Sequence, residues 1–156
     1  MKIILAMVLS LDGKSTKVDE SPNLWASVED QGFFHDLKNK IGVIIVGRKT
    51  YEAAGKPHGD SIERIVMSRG GPTPQEVVAD LERRGITEAL LVGGSELNAE
   101  FFRRKLINEI YLTIEPKIFG SGLPLAQVAD LDVQLELLTV EQLNPQGTLL
   151  LHYRVK

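Results

Sequence analysis

The chain has 156 residues, 43% apolar and 25% charged, with a formal net charge of −3 and no cysteine. That length suits a single domain over residues 1–156 with a proper core. The acidic balance gives no electrostatic case for nucleic acid, whose backbone demands a basic face, and the clusters Arg48-Lys49 and Arg103-Arg104-Lys105 are too small to make one. The missing cysteines exclude disulfides, thiolate metal sites and cysteine nucleophiles, and are compatible with a cytoplasmic protein.

Lys2–Leu9, KIILAMVL, is a near-continuous apolar run. It is far too short to span a bilayer and lacks the form of a signal peptide, so it reads as a buried first strand, with no membrane partner expected. It opens into Ser10-Leu11-Asp12-Gly13-Lys14 and a polar loop to Asn23. Ser27 precedes a helical pattern with Phe33, Phe34 and Leu37 on one stripe, and Asp30 stands where a capping box places its acid. Gly42–Val46 is a second buried strand, ending at Gly47, and RKTYEAAG follows as a short helix. Ile62–Ser68 gives a third strand. Thr73-Pro74-Gln75-Glu76 then starts a helix that runs to about Arg84 and stops at Gly85.

Ala89–Val92 is a fourth strand that breaks at Gly93-Gly94, where Ser95 offers a cap for the helix SELNAEFFRRKL. Strand, glycine turn and helix start in succession make a phosphate-binding device, because glycine lets the backbone approach an anion and the free helix N–H groups point at it. Glu109–Glu115 is a fifth strand, followed by the loop PKIFGSGLPL. Val133–Val140 and Thr148–Val155 alternate apolar and polar residues around Asn144-Pro145-Gln146-Gly147, as an antiparallel pair at one sheet edge does. The whole pattern is α/β.

Ligands of such sheets sit outside the carboxyl ends of the strands. The segments there are SLDGK, GRKTYE, SR and GGSEL. Arg48, Lys49 and Thr50, then Ser68 and Arg69, then Gly93, Gly94 and Ser95 with Glu96 and Leu97 beside them, put phosphate-friendly groups on one edge. They point to an extended, multiply phosphorylated ligand such as a dinucleotide. His35, His58 and His152 lack metal-ligand spacing, so no metal is expected and each is taken as structural or exposed. Ser10, Ser68 and Ser95 lack a nucleophile elbow, which argues against a hydrolase.

The segment LWASVEDQGFFHDLKNKIGVIIVGRKTYEAAGK is similar to the dihydrofolate reductase pattern. The flanks SLDGK, GGSELN and LINEIYLTIEPKIFGSG are more like the riboflavin-pathway reductases. Taken together, the chain resembles the dihydrofolate reductase-like superfamily, in its riboflavin biosynthesis reductase branch (the RibD C-terminal domain). That resemblance implies a three-layer α/β fold: a mostly parallel central sheet, flanking helices and a C-terminal antiparallel hairpin. It also implies NADPH-dependent hydride transfer to a small heterocycle or ribosylamino-pyrimidine, of the 5-amino-6-(5-phosphoribosylamino)uracil reductase type, in a homodimer. Dihydrofolate reduction is the alternative activity, and a nucleotide-binding regulatory module the non-enzymatic one.

By the resemblance, Gly47, Arg48, Lys49 and Thr50 would hold cofactor phosphates, with Ser68 and Arg69 near the adenosine 2′-phosphate. Gly93, Gly94, Ser95, Glu96 and Leu97 would form the pyrophosphate turn, and Ala6 and Met7 would lie under the nicotinamide. Asp30 matches the acid that contacts the pterin in dihydrofolate reductases, with Glu29 in reserve, and Thr113 would hydrogen-bond Asp30 or a pterin-like ring. Ser10, Asp12, Lys14, Trp25 and Phe34 would face the substrate. A carboxylate between Trp25 and Phe34 would be desolvated and its pKa raised, although the first helical turn opposes that shift. The bland alternative is that Asp30 only caps its own helix.

Two departures stand out. TYEAAGKPHGDSIERIV occupies the place of the Asp-Asp-Pro-x-Leu-Thr-type segment that grips the ribose phosphate in the riboflavin branch. SRGGPTPQEVVADLERRG leaves no room for the extra strand that both families carry beside the adenosine.

Overall fold

The computed structural model describes residues 1–16, 25–55 and 59–156. His58 and most of the polar loop up to Asn23 lie outside the described residues.

β1 (Lys2–Ser10) is the middle of a seven-stranded sheet. On one side it pairs in parallel with β5 (Glu88–Leu91), and beyond that lie β3 (Val43–Gly47) and β4 (Glu63–Met67), all parallel. On the other side it pairs in parallel with β6 (Glu109–Glu115). The antiparallel hairpin β9 (Leu149–Val155) and β8 (Leu135–Gln142) closes that edge. β4 is the opposite edge, with no strand beyond it among the described residues.

The apolar runs are continuous because both faces of the sheet are covered. Ile3 and Leu5 of β1, Val43 and Ile45 of β3, and Ala89 and Leu91 of β5 face one core. That core also takes Val77 and Leu81 of α3 (Pro74–Arg83) and Phe101 and Phe102 of α4 (Ser95–Arg103). The intervening Ile4, Ala6, Ile44 and Leu90 face a second core with Leu37 of α1 (Val28–Ile41) and the rings of Phe33 and Phe34. Period-two alternation within each strand thus makes three layers, with helices on both faces. α2 (Arg48–Ala53) is a short turn of helix after β3.

Two segments depart from the sequence expectation. Lys14–Thr16 forms β2 and Leu123–Pro124 forms β7, and the two pair as a separate antiparallel flap. The hairpin strand expected from Val133 begins at Leu135, since residues 130–134 form bends and coil rather than ladder. Among the described residues no helix is long and apolar enough to cross a membrane.

Candidate active site

A cavity of about 550 Å³ opens at the carboxyl ends of β1, β5 and β6. Its floor is Ala6, Met7 and Val8 of β1, Val92 after β5, and Tyr111 and Thr113 of β6. Asp30, Gln31, Phe33 and Phe34 of α1 form one wall, while Lys49, Thr50 and Ala53 of α2 with Gly94 and Ser95 form the other. The β2–β7 flap adds Ser15, Thr16, Gly122 and Leu123.

The anionic end of this cavity is built by contact between two strand exits. Gly47 N–H donates to the Gly93 carbonyl at 2.8 Å, which brings α2 against the start of α4. The Gly93–Gly94 peptide is cis, and Gly93 has φ +96°, a conformation that suits glycine. A Cβ on Gly94 would lie 2.9 Å from the Thr50 hydroxyl. The sequence expectation needs one correction here: Ser95 is not the cap of α4 but its first residue. Gly94 is the N-cap and supplies no side-chain bond. Among the described residues, the first amides of α4 therefore have no side-chain cap and the buried Ser95 hydroxyl has no hydrogen-bond partner. A tight glycine turn, uncapped helix amides, an unpartnered hydroxyl and the Lys49 ammonium together make a donor set suited to phosphate.

At the other end, one acid lines the cavity among the described residues. Asp30 is 8% exposed, and its carboxyl is shifted above the ordinary carboxylate range. Burial is the main cause and the charge of Glu115 adds to it, while the Thr113 side chain pulls the other way. Only half of the expected capping box forms. Ser27 Oγ accepts from Asp30 N–H at 3.2 Å, but Ser27 N–H donates to Glu115 Oε1 at 2.8 Å. Asp30 keeps its place in the cavity lining. Phe33 and Tyr111, whose ring centroids are 5.3 Å apart, continue the wall, and His152 stacks on Tyr111 at 4.0 Å.

The remaining predicted residues fall elsewhere. Glu29 is exposed and accepts from Asn144 Nδ2 at 3.2 Å, outside the cavity lining. Ser10 and Asp12 build the loop after β1. The serine hydroxyl donates to Asp12 Oδ1 at 2.6 Å, and the Asp12 carboxylate takes the amides of Phe119 and Gly120 at 3.1 and 2.7 Å. These bonds, led by the serine's, hold the Asp12 carboxyl at about 2. Lys14 sits in the flap, paired with Pro124, and is not part of the lining. Trp25 packs edge-on to Phe119 at 4.8 Å, in a cluster with Val8 and Ala26 behind the cavity.

Gly47, Gly93 and Leu97 support the cradle without lining the cavity, and Arg48 and Ser68 are exposed outside it. Arg69 pairs with Glu96 at 3.0 Å on the surface. Several lining residues were not singled out from sequence, among them Gln31, Phe33, Tyr111 and Ser15. Phe33 and Tyr111 share a stripe or strand with residues that were singled out, so their periodicity carried the signal. Ser15 depends on the flap and carried none.

The fold, with its cavity at the strand ends, is that of the dihydrofolate reductase-like class. Within it, the chain belongs to the RibD C-terminal domain family, whose model matches residues 1–69 and 59–149. It is 26% identical over 172 residues to the uncharacterized protein YwjB of Bacillus subtilis (strain 168), covering 97% of each chain. The uncharacterized protein YyaP of the same organism is 27% identical over 157 residues, covering 80% of this chain and 79% of that one. A pyrimidine reductase-like protein from Corynebacterium diphtheriae superposes with a TM-score of 0.80 at 14% identity, over 99% of this chain and 92% of that one. The Thermotoga maritima diaminohydroxyphosphoribosylaminopyrimidine deaminase/5-amino-6-(5-phosphoribosylamino)uracil reductase gives 0.77 at 18% identity, over 99% of this chain and 56% of that one. At these identities the structural likeness is one of fold.

Proposed function

We propose that the chain is an NADPH-dependent reductase of a small planar heterocycle of the pyrimidine class. The observation that carries this is the polarity of the cavity: a phosphate-suited donor set at one end and the buried Asp30 carboxyl, shifted toward holding its proton, at the other. Gly94, Ser95, Lys49 and Thr50 would hold the cofactor's phosphates, and Ala6 and Met7 its ring. When bound, NADPH supplies a hydride.

The chain's own residues do the rest. Phe33, Phe34, Val92 and Ala6 exclude water from a flat ring between them. The Asp30 carboxyl orients a ring nitrogen by hydrogen bonding and can place a proton there, a role that a pKa raised by burial favours. Thr113, 1% exposed, lines the same cavity, and its side chain favours the ionised form of the Asp30 carboxyl.

Dihydrofolate is the second substrate reading, supported by the grouping of Asp30, Thr113 and Phe34 around one cavity. The test is loss of reduced-nicotinamide absorbance with dihydrofolate and with aminopyrimidines, with and without a ribosyl phosphate. Turnover with one of them is expected, and Gly94→Ala should weaken NADPH binding about tenfold. Tight NADPH binding without turnover of any member would favour a regulatory nucleotide-binding module. No NADPH binding would overturn the reading.

A further inference from the structure

We infer that Glu115 is the positioning residue for Asp30: by taking the N-cap amide of α1, it keeps the Asp30 carboxyl in the cavity and off its own helix. Serine at the cap with an acid three residues on normally closes a capping box, in which the acid accepts the cap residue's N–H. Here that N–H is already taken. Glu115, at the end of β6 and 3% exposed, accepts it on Oε1 at 2.8 Å and accepts the Thr148 hydroxyl on Oε2 at 2.7 Å. Thr148 is in turn held by Asn144 Nδ2 at 2.8 Å, in the turn of the β8–β9 hairpin. Both carboxylate oxygens of Glu115 are thus engaged by donors, and neither is turned to the cavity. A buried carboxylate in this place does two things: it vacates Asp30, and it puts a like charge near it.

Among the described residues, the ionisable groups around Asp30 are Glu29 before it on α1, Tyr111 and Glu115 on β6, and Lys49 across the cavity on α2. Val8 of β1 and Ser15 and Thr16 of the flap add no charge. Among these groups, Glu115 is the one whose charge acts on Asp30. The inference rests on Asp30 being the group that meets the substrate, but its test does not need turnover.

The experiment uses the full chain without ligand, with the Asp30 carboxyl carbon followed by NMR through a pH titration and the Asp30 conformation seen by crystallography. In Glu115→Ala the Asp30 carboxylate should swing onto the vacated Ser27 amide, and affinity for any ligand that needs Asp30 should fall about tenfold. In Glu115→Gln, which keeps the acceptor for Ser27 and removes the charge, Asp30 should stay in the cavity while its titration moves to lower pH. An Asp30 that faces the cavity in Glu115→Ala, or an unmoved titration in Glu115→Gln, overturns the inference. If Glu115→Ala does not fold, the crystallographic position of Asp30 in Glu115→Gln decides, and an Asp30 carboxyl turned onto its own helix although the acceptor for Ser27 is retained overturns the inference. Failure of wild type to bind NADPH or reduce any substrate would instead count against the reductase reading and leave these two readouts untouched.

Discussion

Two helices of this protein begin with the same four-residue signature and put it to opposite uses. At α3, Thr73 Oγ1 accepts from Glu76 N–H at 3.3 Å, and Thr73 N–H donates to Glu76 Oε2 at 2.7 Å. That box lies in solvent, and its bonds, led by the one from the Thr73 amide, hold the Glu76 carboxyl below its ordinary range. At α1 the return bond is missing, the acid is buried, and its carboxyl is shifted up. The difference shows that a capping motif specifies a helix start but not what its acid does. Whether the acid serves the helix or a cavity is decided by whether another buried acceptor reaches the cap amide.

The largest effect should come from breaking the outside support of α1. Thr148→Val removes the donor that Glu115 shares with the hairpin and should destabilise the fold by about 2–3 kcal/mol in urea denaturation, as expected for a buried hydrogen bond to a charged group. A loss no larger than that of an exposed site would mean that Glu115 is not held from β9. Next, Asp30→Asn should stabilise the protein at neutral pH by about 1 kcal/mol, as removal of a strained functional group commonly does. The sign follows from its raised pKa. The favourable contribution of Asp30 is complete below its unfolded pKa and is lost as pH rises through the higher folded value. The advantage of Asp30→Asn should therefore vanish in acid; an advantage independent of pH would show that ionisation is not its source.

Thr73→Ala opens the closed box and should lower Tm by about 2–4 °C while leaving ligand affinity unchanged. There the pH sense is reversed, since the depressed pKa of Glu76 gives support that is present above the ordinary glutamate range and lost as pH falls. The smallest effect should be that of Glu29→Ala. Its exposed contact to Asn144 is worth within about 0.5 kcal/mol, and kcat should not change. A large drop in kcat would make Glu29, not Asp30, the acid of this helix start.

Much of the fold was legible because its strands are buried on both faces, so their apolar runs stand out without reference to partners. β6 was read with its observed ends, Glu109 and Glu115, because polar residues bound it on both sides. The flap was not legible. β2 and β7 have three and two residues, too few for any period, and exist only because distant segments meet. A Cβ on Gly122 would stand 2.0 Å from the Thr16 carbonyl, so glycine is what lets them cross. At the site, Gly94, Lys49 and Thr50 could be proposed from local pattern, and Asp30 from the family resemblance. Glu115 could not: at the end of a strand it looks like any polar terminus, and its role depends on Ser27, 88 residues away in sequence. Trp25, which the resemblance puts at the substrate, is not in the cavity lining but packs on Phe119 and against Val8, which is.

The stack of Tyr111 and His152 has a practical consequence. The two rings lie 13° from parallel, one lining the cavity and the other on the adjacent strand with its Nε2 2.8 Å from Glu109. Lys2 reaches the same carboxylate at 3.1 Å. Ring-current shielding makes the His152 imidazole protons sensitive to any tilt of Tyr111. The protein thus carries a built-in gauge of occupancy at a histidine that no ligand in the cavity needs to touch.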